Sequence, residues 1–149
     1  FKAVIDAMPA GTFGKPEARI GIWQKKDLGR RPRVDVWFHS DHGSHLDARN
    51  EQVIRVVTKL KIKHDDSDKA ARGDTDLLQA SAAYDDIHAA IETAIDSAGT
   101  PDTPFYGFGQ LRIEQEPPGI QPYGFDDTDD YVGIGEVWTV KHKRARGAT

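Results

Sequence analysis

PRVDVWFHSDHGSHLDARNEQVIRVVTKLKI, residues 32–62, is the stretch on whose reading the fold depends. Val34, Val36 and Phe38 alternate with Arg33, Asp35, Trp37 and His39, the period of two that marks a half-buried strand. The polar run His39-Ser40-Asp41-His42-Gly43 reads as a corner that turns the chain. Ser44 is placed to cap a helix, with Asp47 in its first turn favouring the dipole. Leu46, Val53, Ile54, Val57 and Leu60 fall at i, i+7, i+8, i+11 and i+14, one face of that helix. Strand and helix each present an apolar side, and the simplest arrangement has them cover one another. The unit is scaffold, and chemistry would fall to the corner.

Upstream, Phe1, Val4, Ile5 and Met8 have helical spacing, closed by Pro9 and Gly11. Glu17 to Gln24 alternates again, with Ile20 and Ile22 on one side and Arg19 and Trp23 on the other. Lys25 to Arg31 contains Asp27 and Gly29 and reads as a hairpin loop into the 32–38 strand. A hairpin centred on Leu28 sets Ile20 against Val36 and Ile22 against Val34. On its other face Trp23 meets Arg33 and Arg19 meets Trp37, two cation–π pairs of about 0.5–1 kcal/mol each when exposed. Two tryptophans on a polar face are what a protein–protein contact surface shows, or what a second layer of the same domain would cover.

Downstream, Lys63 to Asp76 is a charged loop containing Arg72-Gly73-Asp74, a tripeptide too short to carry an adhesion function. A helix is expected from about Thr75 or Ser81 to Ser97, its core stripe Tyr84, Ile87, Ile91, Ala94 and Ile95, ended by Gly99 and Pro101. Phe105 to Gln115 reads as a strand bent by Gly107 and Gly109. Glu116 to Asp130 is a long excursion with Tyr123 and Phe125 at its tip. Tyr131 to Lys143 forms a last strand, with Ile134, Trp138 and Val140 on one side and a bulge at Gly133–Gly135. Residues 141–149 add a small basic tail. The expected fold is α+β over the single domain 1–149: an antiparallel or mixed sheet of about four strands with two or three packed helices.

Composition limits the function. At 149 residues the chain is long enough to bury a real core. With no cysteine there is no disulfide, thiol nucleophile or thiolate metal site. No apolar run approaches the roughly 20 residues of a membrane span. FKAVIDAMPA lacks the apolar core of a signal peptide, and since Phe1 is not a natural start, sequence upstream of it is expected. A net charge of −4 weighs against general nucleic-acid binding. Neither GxGxxG nor GxxxxGK[ST] nor GxSxG occurs, so no nucleotide cofactor or nucleophile elbow is expected.

The enzymatic candidate is the corner. His39, His42 and His45 with Asp41 and Asp47 carry the nitrogen and oxygen donors of a divalent-metal site, although not at the spacing of a His-Glu-x-x-His helix. The alternative is an exposed polar turn. Lys141, Lys143, Arg144 and Arg146 with His142 could touch a phosphate backbone, the basis of a third reading as a nucleic-acid-associated regulator.

VDVWFHSDHGSHLDARNEQVIRVVTKL followed by a late acidic approach to a closing strand, DDTDDYVGIGEVWTVKHKR, resembles the small head–tail joining proteins of long-tailed viruses, the tail-completion and tail-terminator proteins. The likeness covers about the central third and the last twenty residues. It implies a non-enzymatic α+β subunit of the virion, assembled in the host cytoplasm into a ring, usually a hexamer. Such a ring sits between neighbouring neck and tail-tube proteins, and DNA passes through it without being read. No cofactor, metal or membrane enters that picture. A ring of head-to-tail contacts needs two different patches per chain. The candidates are Trp23 and Trp37 with Arg33, and Tyr123 and Phe125 on the long loop, with Asp126 and Asp127 meeting a neighbour's Lys141, Lys143 and Arg144.

Overall fold

The computed structural model describes residues 1–11, 14–29, 31–43, 51–63, 74–106, 111–123 and 131–143. The elements run α1 (Lys2–Asp6), β1 (Glu17–Ile20), a 3-10 turn (Lys25–Asp27), β2 (Arg33–Gly43), β3 (Glu51–Lys63), α2 (Asp74–Asp96), β4 (Leu111–Gln115), β5 (Gln121–Tyr123) and β6 (Tyr131–Lys143). The class is α+β, as expected. The sheet is larger than expected, with strand order β1-β2-β3-β6-β4 and β5 paired to β6 beyond the end of β4.

The deciding stretch is a β-hairpin, and the helix expected after Ser44 is absent from its described part. Val53, Ile54, Val56, Val57, Thr58 and Ile62 are β-branched, which disfavours a helix and suits a pleated surface. Thr58, Leu60 and Ile62 alternate with Lys59, Lys61 and Lys63, a strand's period that the helical spacing concealed. β3 pairs antiparallel with β2, from Arg33↔Lys61 to Gly43↔Gln52, and with β6 along its whole length. His39-Ser40-Asp41-His42-Gly43 is not a corner: β2 continues through it, with a register shift between Phe38 and Ser40 that leaves His39 at a bulge. The connection holding Ser44, His45 and Asp47 lies outside the described residues.

The expected 17–38 hairpin is also overturned. β1 runs parallel to β2, Glu17↔Arg33 through Ile20↔Val36. Gly21 ends it, because its φ of +116° suits only glycine and redirects the chain. Ile22 and Trp23 therefore leave the strand. Ile20 and Ile22, expected in the core, are 75% and 56% exposed.

Three further expectations change. β6 pairs with β3 without a bulge at Gly133–Gly135. A Cβ on Gly135 would sit inside contact distance of the Thr58 carbonyl oxygen and 2.8 Å from Lys59 Cα, so glycine serves close strand approach there. Of the strand expected from Phe105, Leu111–Gln115 is strand and Phe105 is buried in a turn, while Gly107 and Gly109 lie outside the described residues. The 116–130 excursion contains β5.

α2 is where the sequence placed it. Tyr84, Ile87, Ile91 and Ala94 are buried and Ile95 packs against them. They meet Val34, Val36, Leu60, Ile62, Val132, Ile134 and Trp138 from the sheet, with Val4 and Ile5 of α1 closing one side. Among the described residues no helix is long and apolar enough to cross a membrane.

Candidate functional site

Three features carry polar chemistry or exposed apolar surface: a buried network under α2, a tryptophan strap on the opposite face, and the free edge of β1.

The network begins with an exception to a pattern. Val132, Ile134, Trp138 and Val140 face the helix along β6, and Glu136 interrupts them, fully buried. A carboxylate there needs donors, since an unpaired buried charge is costly. Tyr84 Oη donates to Glu136 Oε2 at 2.5 Å and Gln115 Nε2 to Oε1 at 3.0 Å. His88 Nδ1 lies 2.8 Å from both oxygens, and its Nε2 lies 2.9 Å from Glu92 Oε1. With a carboxylate on each ring nitrogen, both must donate, so the imidazolium is the form that fits. Burial by itself lowers the His88 pKa. The hydrogen bond and charge of Glu136, then those of Glu92, outweigh it and hold the pKa above the ordinary 6.5.

The remaining donors close in sequence. Trp138 Nε1 donates to Thr58 Oγ1 at 3.1 Å, and Thr58 Oγ1 is 2.7 Å from Tyr84 Oη. His88 also stacks on Trp138, with ring centroids 5.4 Å apart. The network ties α2 to β3, β4 and β6. Glu136, His88, Tyr84 and Gln115 were missed in the sequence, although a glutamate in phase with four apolar residues was the visible signal.

On the other face Asp35 and Lys61 form a buried ion pair at 2.7 Å. Residues 21–24 strap over it: Trp23 N–H donates to Asp35 Oδ1 at 2.8 Å and its indole N–H to the Val34 carbonyl at 3.2 Å. Arg33 and Arg19 lie over the Trp23 ring, at 4.6 and 5.6 Å from its centroid. The Trp23–Arg33 contact is the one expected. Arg19 meets Trp23 instead of Trp37, because β1 is parallel. Trp23, Trp37 and Arg33 are all half-buried.

The other expected patches do not come together in the described residues. Tyr123 ends β5, opposite Gly133, and its side chain is undescribed. Phe125, Asp126, Asp127 and Arg144 lie outside the described residues, as does the side chain of Lys143. Lys141 is half-buried and pairs across to Val53 and Arg112. Of the histidine set, His42 pairs with Val53 in the ladder, and the side chains of His39 and His42 are undescribed. Among the described residues no His/Asp/Glu group has metal-site geometry.

The edge of β1 is the exposed feature. Glu17 donates its N–H to Pro32, just before β2, and Gly21 donates its own to Val36 of β2. Alternation therefore turns the N–H groups of Ala18 and Ile20 outward. Ala18 N–H is taken by Asp6 Oδ1 at 2.9 Å, which blunts the first half of the edge. Ile20, the last residue of β1, is exposed. No family model matches the chain, and no curated protein is detectably similar to it.

Proposed function

We propose that the chain is a structural subunit of a long-tailed virion, assembling through its sheet edge into a ring at the head–tail junction. The single observation that carries the reading is the β1 edge, where Ile20 and Ile22 stand exposed at the end of the strand. Natural sheets cover, charge or shorten their edges, as the four-residue β1 with Glu17 and Arg19 does, so the contact proposed here rests on the exposed Ile20 and Ile22 side chains at its end. Of the likeness to head–tail joining proteins, the V-x-V-W strand and the long closing strand remain, while the polar corner and the helix that followed it are replaced by a continuing β2 and by β3. The Glu136 network supports a rigid subunit, since its donors and acceptors are matched within the core and Glu136 is sealed from solvent.

In this reading the ring is hexameric, lies between neck and tail-tube proteins and lets DNA pass. Its work is done by contacts between subunits, without cofactor or bond-making. The test is assembly of the purified chain, followed by negative-stain imaging. Wild-type protein forms closed rings as concentration rises, and Ile20→Asp/Ile22→Asp stays monomeric with an unchanged far-UV spectrum. Equal assembly of the double variant would refute the edge as the contact.

A further inference from the structure

Charge is segregated between two surfaces of this chain. α2 carries Asp74, Asp76, Asp85, Asp86, Glu92 and Asp96 with no lysine or arginine. The β1 region is mainly basic: Arg19 and Lys26 are exposed around Ile20 and Ile22, while Arg31 and Arg33 are paired with Glu17 and Asp27 is exposed beside Lys26.

The outward side of α2 has a shape as well as a sign. With Tyr84, Ile87 and Ile91 turned to the core, Leu78, Ala82, Asp85, Asp86 and Ala89 are left on the exposed side, and Leu78 is 71% exposed. A groove of about 690 Å³ runs between this helix and residues 8–11, 14 and 16, its walls including Met8, Pro9, Ala83 and Ala90, with Asp86 among them. Short alanine side chains let a neighbouring backbone come close, and the carboxylates stand beside that apolar floor.

We infer that the β1 edge of one copy docks on the α2 groove of the next, Ile20 and Ile22 lying over the alanines while Arg19 and Lys26 face Asp85 and Asp86. The two surfaces match in both respects an interface needs: branched apolar side chains against a shallow apolar floor, and cations against anions around it. They are different surfaces of one chain, so the contact is heterologous and repeats from copy to copy until the rotation closes. The inference rests on the ring reading and names the contact within it. It also gives the acidic helix a role, because like charges along one exposed face repel one another unless a partner neutralises them.

Reciprocal charge reversal, read by sedimentation velocity at low and high salt, tests it. Wild-type assembly weakens as salt screens the pairs. Arg19→Glu/Lys26→Glu raises the concentration for half-assembly at least tenfold, and so does Asp85→Lys/Asp86→Lys. All four positions are exposed, and because Arg19 also lies over the Trp23 ring, circular dichroism and the urea midpoint of each variant are compared with wild type. An equimolar mixture of the two variants, or the fourfold variant, regains assembly, because each reversed surface then meets its complement. Assembly of both double variants at the wild-type concentration would overturn the docking while leaving the ring, with some other partner for the groove. Loss in both without rescue on mixing would likewise overturn it. A wild-type chain that stays monomeric at every concentration would remove the ring reading and the docking together.

Discussion

His88 is the residue whose charge state the fold depends on most directly. Its imidazolium lies between Glu136 and Glu92, and its pKa is raised by them against the opposing effect of burial. A group with a raised folded pKa contributes stability that is fully present below its unfolded value, near 6.5, and is lost as pH rises through the folded value. The free energy of unfolding should therefore fall as pH is raised from 6.5 into the mildly alkaline range. His88→Gln should flatten that slope in urea titrations at a series of pH values, and an unchanged slope would contradict the assignment. On the opposite face the Asp35–Lys61 pair makes a second expectation. Lys61→Met strands a buried carboxylate and should cost about 3–5 kcal/mol, whereas Lys61→Met with Asp35→Leu should recover most of it. Urea denaturation of the three proteins gives the comparison.

At the scale of elements, β3 and β6 form the centre of the sheet, and their spacing depends on Gly135. Gly135→Ala forces its methyl into the Thr58–Lys59 backbone and should cost roughly 3 kcal/mol or separate the strands locally. Hydrogen exchange at Lys59 and Gly135 would report the separation. This is also where the sequence was hardest to read. α2 was legible because Tyr84, Ile87 and Ile91 recur at helical spacing with polar residues between them. β3 was not, because Val53, Ile54, Val56, Val57 and Leu60 satisfy both periods, and only the 58–63 alternation and the β-branching separate them. The parallel course of β1 was hidden for another reason. A short loop with Asp27 and Gly29 has the composition of a hairpin, and nothing local shows that Gly21 takes the chain off the strand first. The Glu136 network depends on contacts up to 80 residues apart in sequence, such as Trp138 with Thr58. Of its members the sequence placed Tyr84 and Trp138 on apolar faces, while Glu136 was passed over. The Trp23–Arg33 contact was foreseen through a wrong topology, since the strap restores the proximity that the hairpin had supplied.

For the whole molecule, the fold separates a rigid interior from an active perimeter. The helix side is locked by apolar packing and the His88–Glu136 contact, and the far side by Asp35, Lys61 and the Trp23 strap. Among the described residues, the surfaces proposed here for recognition are the end of β1 with its isoleucines and the groove of α2 beside Asp86. In the proposed reading the chain acts by joining copies of itself, and its oligomeric mass is the quantity most directly tied to that proposal. Native mass spectrometry from low to high micromolar concentration should show one closed species, six copies of the chain, growing at the expense of the single subunit. A single-subunit mass throughout that range would contradict it.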